Sequence, residues 1–172
     1  MINAGELANH PNLIPHTPTA NVFNVNDLNA LSSTVTEIIV ENRCCRDPSF
    51  TVLDLTRFTS VRRIVIGDDA FMYVDEVKMI GLSELESVEI GMNSFTKKKN
   101  DYGSDPNRHF YLKNCPKLKS LKMGRFSFSD YSVIEIENVE TLEVIEMGDL
   151  NEESYNFYSA SLQLSSVIVC VE

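Results

Sequence analysis

The sequence predicts a mainly β chain wound as a single parallel-strand solenoid of about six coils, with an irregular N-terminal segment ahead of them. Three observations predict it. An apolar pattern recurs six times, most recurrences carry a second alternating patch, and no unit is long enough to bury its own apolar face alone. Composition agrees with one globular domain: 172 residues, 43% hydrophobic and 23% charged.

Residues 1–30 are polar and contain Pro11, Pro15 and Pro18, so they read as an N-terminal tail or cap on a repeat array spanning 31–172. Within the array four segments align on a glycine: VRRIVIGDDAF, LESVEIGMNSF, LKSLKMGRFSF and LEVIEMGDL, anchored at Gly67, Gly91, Gly124 and Gly148. The residues six, three and one before each anchor are Val61, Ile64 and Ile66; Leu85, Val88 and Ile90; Leu118, Leu121 and Met123; and Leu142, Ile145 and Met147. The same frame extends to segments without the glycine. Upstream it finds Val35, Ile38 and Val40 before Glu41, and downstream Leu164, Val167 and Val169 before Cys170. Eighteen apolar positions out of eighteen arise by chance, at 43% composition, about once in a few million trials.

Fourteen and twelve before each glycine anchor stand Leu53 and Leu55, Val77 and Met79, Phe110 and Leu112, Ile134 and Ile136. Each of these units therefore holds two strand-like patches. Between them, ten before the anchor, come Arg57, Gly81, Asn114 and Asn138, a place for a residue that tolerates a tight bend. Phe71, Phe95 and Phe128, four after their anchors, read as plugs filling the interior. Anchor spacings are 26, 24, 33, 24 and 22. Removing about nine residues from TKKKNDYGSDPNRH restores the common period, so 96–109 reads as an exposed loop inserted into a coil complete without it. The last strand pattern, close to Glu172, is expected to present an edge available for contacts.

Fifteen Lys and Arg against twenty-five Asp and Glu leave a net charge of −10. Such a deficit argues against nucleic acid, whose affinity comes from basic residues displacing counterions, and against an anionic membrane surface. No apolar run approaches the roughly 20 residues needed to span a bilayer. MINAGELANHPNLIPH lacks the basic start and apolar core of a signal peptide, so a cytoplasmic location is expected. Four cysteines, two of them the adjacent Cys44 and Cys45, suit a reducing compartment. No C-x-x-C pair occurs and His109 with Cys115 stands alone, so no metal site is expected, nor any cofactor. His10 and His16 read as solvated loop residues. No G-x-S-x-G or phosphate loop is present, and no catalytic residue is assigned.

LESVEIGMNSF and LKSLKMGRFSF, preceded by GLSEL and NCPKL, resemble a leucine-rich repeat. They are most similar to the bacterial-surface-protein-A-like (BspA-like) class, whose G-x-x-A-F element appears in VRRIVIGDDAF. The resemblance covers about residues 35 to 170. It implies a right-handed curved solenoid used for protein recognition or adhesion, without catalysis.

Residues between the apolar positions of a strand point outward. Two before the anchor they run Ile39, Val65, Glu89, Lys122, Glu146 and Ile168; five before, Thr36, Arg62, Glu86, Lys119, Glu143 and Ser165. Alternating charge along each column favours coil register, because opposite charges on adjacent strands attract. The same columns form a polar recognition surface, with Lys97, Lys98 and Lys99 as further candidates for an acidic contact. The expected function is therefore a non-catalytic module binding another protein. Two alternatives stand beside it. A parallel β-helix enzyme acting on polysaccharide would use Glu89 and Glu146, although Lys122 falls between them and Trp is absent. A fragment of a cell-surface adhesin would need an export signal and more repeats.

Overall fold

A computed structural model of the chain describes residues 18–97, 105–148, 153–158 and 160–165. In chain order the elements are β1 (Thr19–Val22), helix α1 (Val25–Ala30), β2 (Glu37–Val40), β3 (Val52–Asp54), β4 (Arg63–Ile66), β5 (Glu76–Ile80), β6 (Ser87–Ile90), β7 (Asp105–Lys113), β8 (Ser120–Met123), β9 (Tyr131–Glu137), β10 (Val144–Met147) and β11 (Ser161–Ser165). The protein is mainly β, in two all-parallel sheets ordered β1-β2-β4-β6-β8-β10 and β11-β9-β7-β5-β3. From β2 onward the chain alternates between the sheets. Among the described residues no helix is long and apolar enough to cross a membrane.

Register follows the apolar frame. Ile38, Ile64, Val88, Leu121 and Ile145 are neighbours across the six-stranded sheet, as are Val40, Ile66, Ile90, Met123 and Met147. In the second sheet Leu53, Val77, Phe110 and Ile134 align, and Met79, Leu112 and Ile136 beside them. All are buried except Ile145 and Met147 on the outermost strand. Apolar side chains of both sheets share the space between them, and their removal from water supplies the main favourable energy. Between the sheets, Gly81, Asn114 and Asn138 occupy the predicted bends with φ of +71°, +55° and +53°. Arg57 holds the corresponding place without a left-handed backbone; its Nη2 instead donates to the carbonyls of Leu28 and Asn29 at the end of α1.

Phe71, Phe95, Phe128 and Phe157 form one buried stack. Successive ring centroids lie 5.2, 4.6 and 4.8 Å apart, with interplanar angles of 13°, 5° and 8°. All four have positive φ, between +49° and +58°, a conformation that a bulky residue adopts only when its surroundings impose it. Backbone bonds do so here: Phe71 N–H donates to Cys44 O, Phe95 N–H to Ala70 O and Phe128 N–H to Ser94 O. Phe157 continues the stack nine residues after Gly148, not four, so the sequence frame did not include it.

At the ends of the array the structure adds one strand and reassigns another. Residues 19–22 of the N-terminal segment form β1, whose Ala20 and Val22 pair with Ile38 and Val40. This unit carries α1 in place of a second-sheet strand, which shortens its spacing and hid it from the frame. Helix α1 starts where the Asn24 side chain accepts the N–H groups of Asn26 and Asp27. At the other end, Leu164 and Ser165 belong to β11 of the second sheet, opposite Ile136 and Glu137. The alternation Leu162-x-Leu164 is the second-patch pattern, which the frame read as the start of a first-sheet segment. Val167, Ile168, Val169 and Cys170 lie outside the described residues.

The stretch 96–109 is corrected too. Thr96 and Arg108 are buried, and β7 already begins at Asp105. Arg108, 0% exposed, donates from Nη1 to Asp130 Oδ2 at 2.7 Å and from Nη2 to the carbonyl oxygens of Met72, Val74 and Phe95 at 3.1, 2.5 and 3.2 Å. Its Nε lies 3.5 Å from Asp75 Oδ1, and its guanidinium sits 4.7 Å from the Tyr131 ring centroid. Asp130 Oδ2 also accepts the Lys97 backbone N–H at 3.0 Å. One carboxylate thereby holds both stems of the insertion. Residues 98–104, with Lys98 and Lys99, lie outside the described residues.

Candidate functional site

The outer face of the six-stranded sheet gathers most of the predicted site residues. Strand pairing sets Val65, Glu89, Lys122 and Glu146 side by side. Arg62, Glu86, Lys119 and Glu143 form the second column, joined by backbone bonds of 2.8 to 2.9 Å from each N–H to the preceding carbonyl. All four are exposed, and among the described residues no ion pair joins them to one another. In the first column Lys122 Nζ meets Glu146 at 3.0 Å, a hydrogen bond that raises the lysine pKa. Glu89 turns aside to Arg63, whose Nη2 lies 3.1 Å away while its Nη1 reaches Glu37 at 2.6 Å. The guanidinium thus bridges β2, β4 and β6.

Arg63 and Glu37 were missed by sequence reasoning. Both stand four before the anchor, on the same outward face as the residues two before it, because side chains alternate with a period of two. That alternation was the available signal. The Arg63 hydrogen bond, helped by one from Thr19, lowers the Glu37 pKa, and contact with Glu37 raises that of Arg63. Lys97 stands apart: its backbone binds Asp130 and its Nζ lies 5.9 Å from the Tyr73 ring, and neither partner belongs to a column.

Beside the charged column the anchor glycines leave a trough of about 430 Å³, lined by Asp68, Glu89, Lys122 and Glu146 around Gly67, Gly91, Gly124 and Gly148. Close approach of successive units demands glycine there. A Cβ on Gly91 would stand 2.6 Å from the Asp68 backbone nitrogen and closer still to Asp68 Oδ1, which accepts the Met92 N–H. Gly91→Ala should therefore destabilise by about 2 kcal/mol through overpacking. Gly81→Ala meets no atom within 4 Å and pays only for its positive φ, about 1 kcal/mol. Denaturant melts of the two variants check the order.

Other chemistry is limited by burial. Desolvation pushes the Cys45 thiol up to about 12 and the Cys115 thiol up to about 11, so neither supplies a thiolate nucleophile near neutral pH. Burial likewise raises the Tyr131 phenol. Among the described residues no group of three or more His, Cys, Asp or Glu side chains is placed to hold a metal ion. On the second sheet, Lys113 binds Glu135 and Glu137, and the His109 Nδ1 lies 2.7 Å from the Tyr111 hydroxyl. Comparison with protein-family models, with curated proteins and with solved structures finds no match to the chain.

Proposed function

We propose that the chain is a non-catalytic protein-binding module, a right-handed parallel-strand solenoid of leucine-rich-repeat type, whose charged sheet face docks a protein partner. The observation that carries this reading is the set of Arg63, Glu89, Lys122 and Glu146, charges of both signs on one parallel sheet beside a trough of about 430 Å³. A sheet hydrogen-bonded from strand to strand holds such charges in fixed places, and complementary charge gives a partner its register and its association rate. Glycan hydrolysis is less well supported. It needs one of Glu89 and Glu146 as a proton donor to a leaving oxygen, whereas each is held by a cation, Arg63 or Lys122. The thiols Cys44, Cys45 and Cys115 are free, which suits a partner met in a reducing compartment.

Lys122→Glu tests the reading. Capture of a partner from native cell extract should fall about tenfold while the thermal midpoint stays in place, since an exposed ion pair adds little to stability. The double variant Lys122→Glu, Glu146→Lys reverses that ion pair and leaves Glu89 with Arg63. Undiminished capture by that variant would mean that the columns serve register alone and that the partner docks elsewhere.

A further inference from the structure

The floor of the glycine trough has no polar group to spare. The N–H groups of Gly67, Gly91 and Gly124 donate to the carbonyls of Val40, Ile66 and Ile90 at 2.8, 2.7 and 2.6 Å, while the three glycine carbonyls accept from the Ser94 and Ser127 hydroxyls and the Asn156 amide. A flat group can therefore cover this floor without stranding a donor or an acceptor. The walls are charged, with the carboxylates of Asp68, Glu89 and Glu146 against the one ammonium of Lys122. Lys122 is taken by Glu146, and Glu89 shares Arg63 with Glu37. The surplus centres on Asp68, which meets no cation among the described residues. That carboxylate is already fixed in place. Its Oδ1 accepts the Met92 N–H at 2.7 Å, and the Asp68 N–H donates to Asn42 Oδ1 at 2.7 Å.

We infer that the trough is an arginine subsite: an arginine of the docked partner lays its guanidinium flat on the glycine floor, with its stem along Val65 and its edge donating to the Asp68 carboxylate. The inference rests on the reading that this face docks a protein, and it names what the partner brings. Shape and charge together select arginine. A guanidinium carries five N–H donors around the rim of a plane and leaves both faces bare and weakly hydrated. Lysine supplies the charge, but its strongly hydrated ammonium would lose water over a floor with no acceptor to offer. An aromatic ring covers the floor and gives Asp68 nothing. Gly91 opens the subsite, since a Cβ there would collide with Asp68 Oδ1. A carboxylate held in position before binding does not have to be ordered by the ligand.

The test titrates the nitrogen-15-labelled full chain with three capped tripeptides, glycine-X-glycine, in which X is arginine, lysine or citrulline, and follows the amide resonances. Saturable shifts of the Gly67, Gly91 and Gly124 amides are expected with arginine. Lysine should bind at least about fivefold more weakly, and citrulline, which keeps the plane and loses the charge, not measurably. Asp68→Asn retains an acceptor for the Met92 N–H and should weaken arginine binding about tenfold without moving the melting temperature. The subsite is overturned by no saturable shift, by equal binding of arginine and lysine, by shifts that miss the three glycines, or by an Asp68→Asn variant that binds as the parent does. Any of these results beside a Lys122→Glu variant that still loses capture removes the arginine and leaves the docking face standing. An intact arginine preference, with capture unmoved by both Lys122→Glu and Asp68→Asn, would remove the docking reading itself and the partner's arginine with it.

Discussion

Arg108→Met should lower the unfolding free energy by about 3–5 kcal/mol, one of the two largest effects expected of single substitutions here. The side chain is fully buried, and its loss takes the guanidinium away from the Asp130 carboxylate, itself 4% exposed. Three carbonyl oxygens, those of Met72, Val74 and Phe95, lose a donor at the same time. The penalty arises mainly from the lost pairing of two buried charges. Arg108→Met combined with Asp130→Asn should therefore be more stable than Arg108→Met alone, although Asp130 also receives the Lys97 N–H. Urea unfolding of the two variants decides it. If the double variant is as unstable as the sum of the singles, packing around Arg108 outweighs its charge.

Phe128→Ala is expected to cost about 3–5 kcal/mol, the range for deleting a buried aromatic ring. Its ring is the hub of the interior, stacked on Phe95 and Phe157, edge-on to Tyr131 at 4.8 Å and tilted against Phe110 at 5.0 Å. Backbone conformation supplies a sign that contacts alone do not. Residue 128 has φ of +58°, where alanine is strained and glycine is not. Phe128→Gly should then match or exceed Phe128→Ala in stability by about 1 kcal/mol, the reverse of the order in an ordinary strand. Calorimetry on the pair reads that difference directly.

Some of this organisation was legible in the chain because it is periodic. The positions of Ile64, Val88 and Leu121, or of Val77 and Phe110, follow from recurrence that any single unit would not reveal, and the strand register agrees with it. Asn114 and Asn138 were readable as bends because few other residues accept a left-handed backbone. Arg108 was not readable. It sits among Asp, Pro and Asn, in surroundings typical of an exposed loop, and its partners come from Met72, Val74, Phe95 and Asp130, none of them a sequence neighbour. Strand β1 escaped because its unit swaps a strand for α1, and β11 because an apolar alternation suits either sheet. Within the candidate site the Glu89–Lys122–Glu146 order was visible from spacing, whereas the choice of Arg63 as the partner of Glu89 depends on side-chain reach across strands.

The clasp on Asp130 Oδ2 also makes a graft point of the insertion. Lys97 and Arg108 are fastened to one oxygen, so a foreign sequence spliced between Lys97 and Asp105 would start and finish at positions already set by the scaffold. Closing a longer segment between fixed posts adds only about 0.6 kcal/mol for each doubling of its length. An epitope or a reporter peptide could be displayed there while the aromatic pile and both sheets stay as they are.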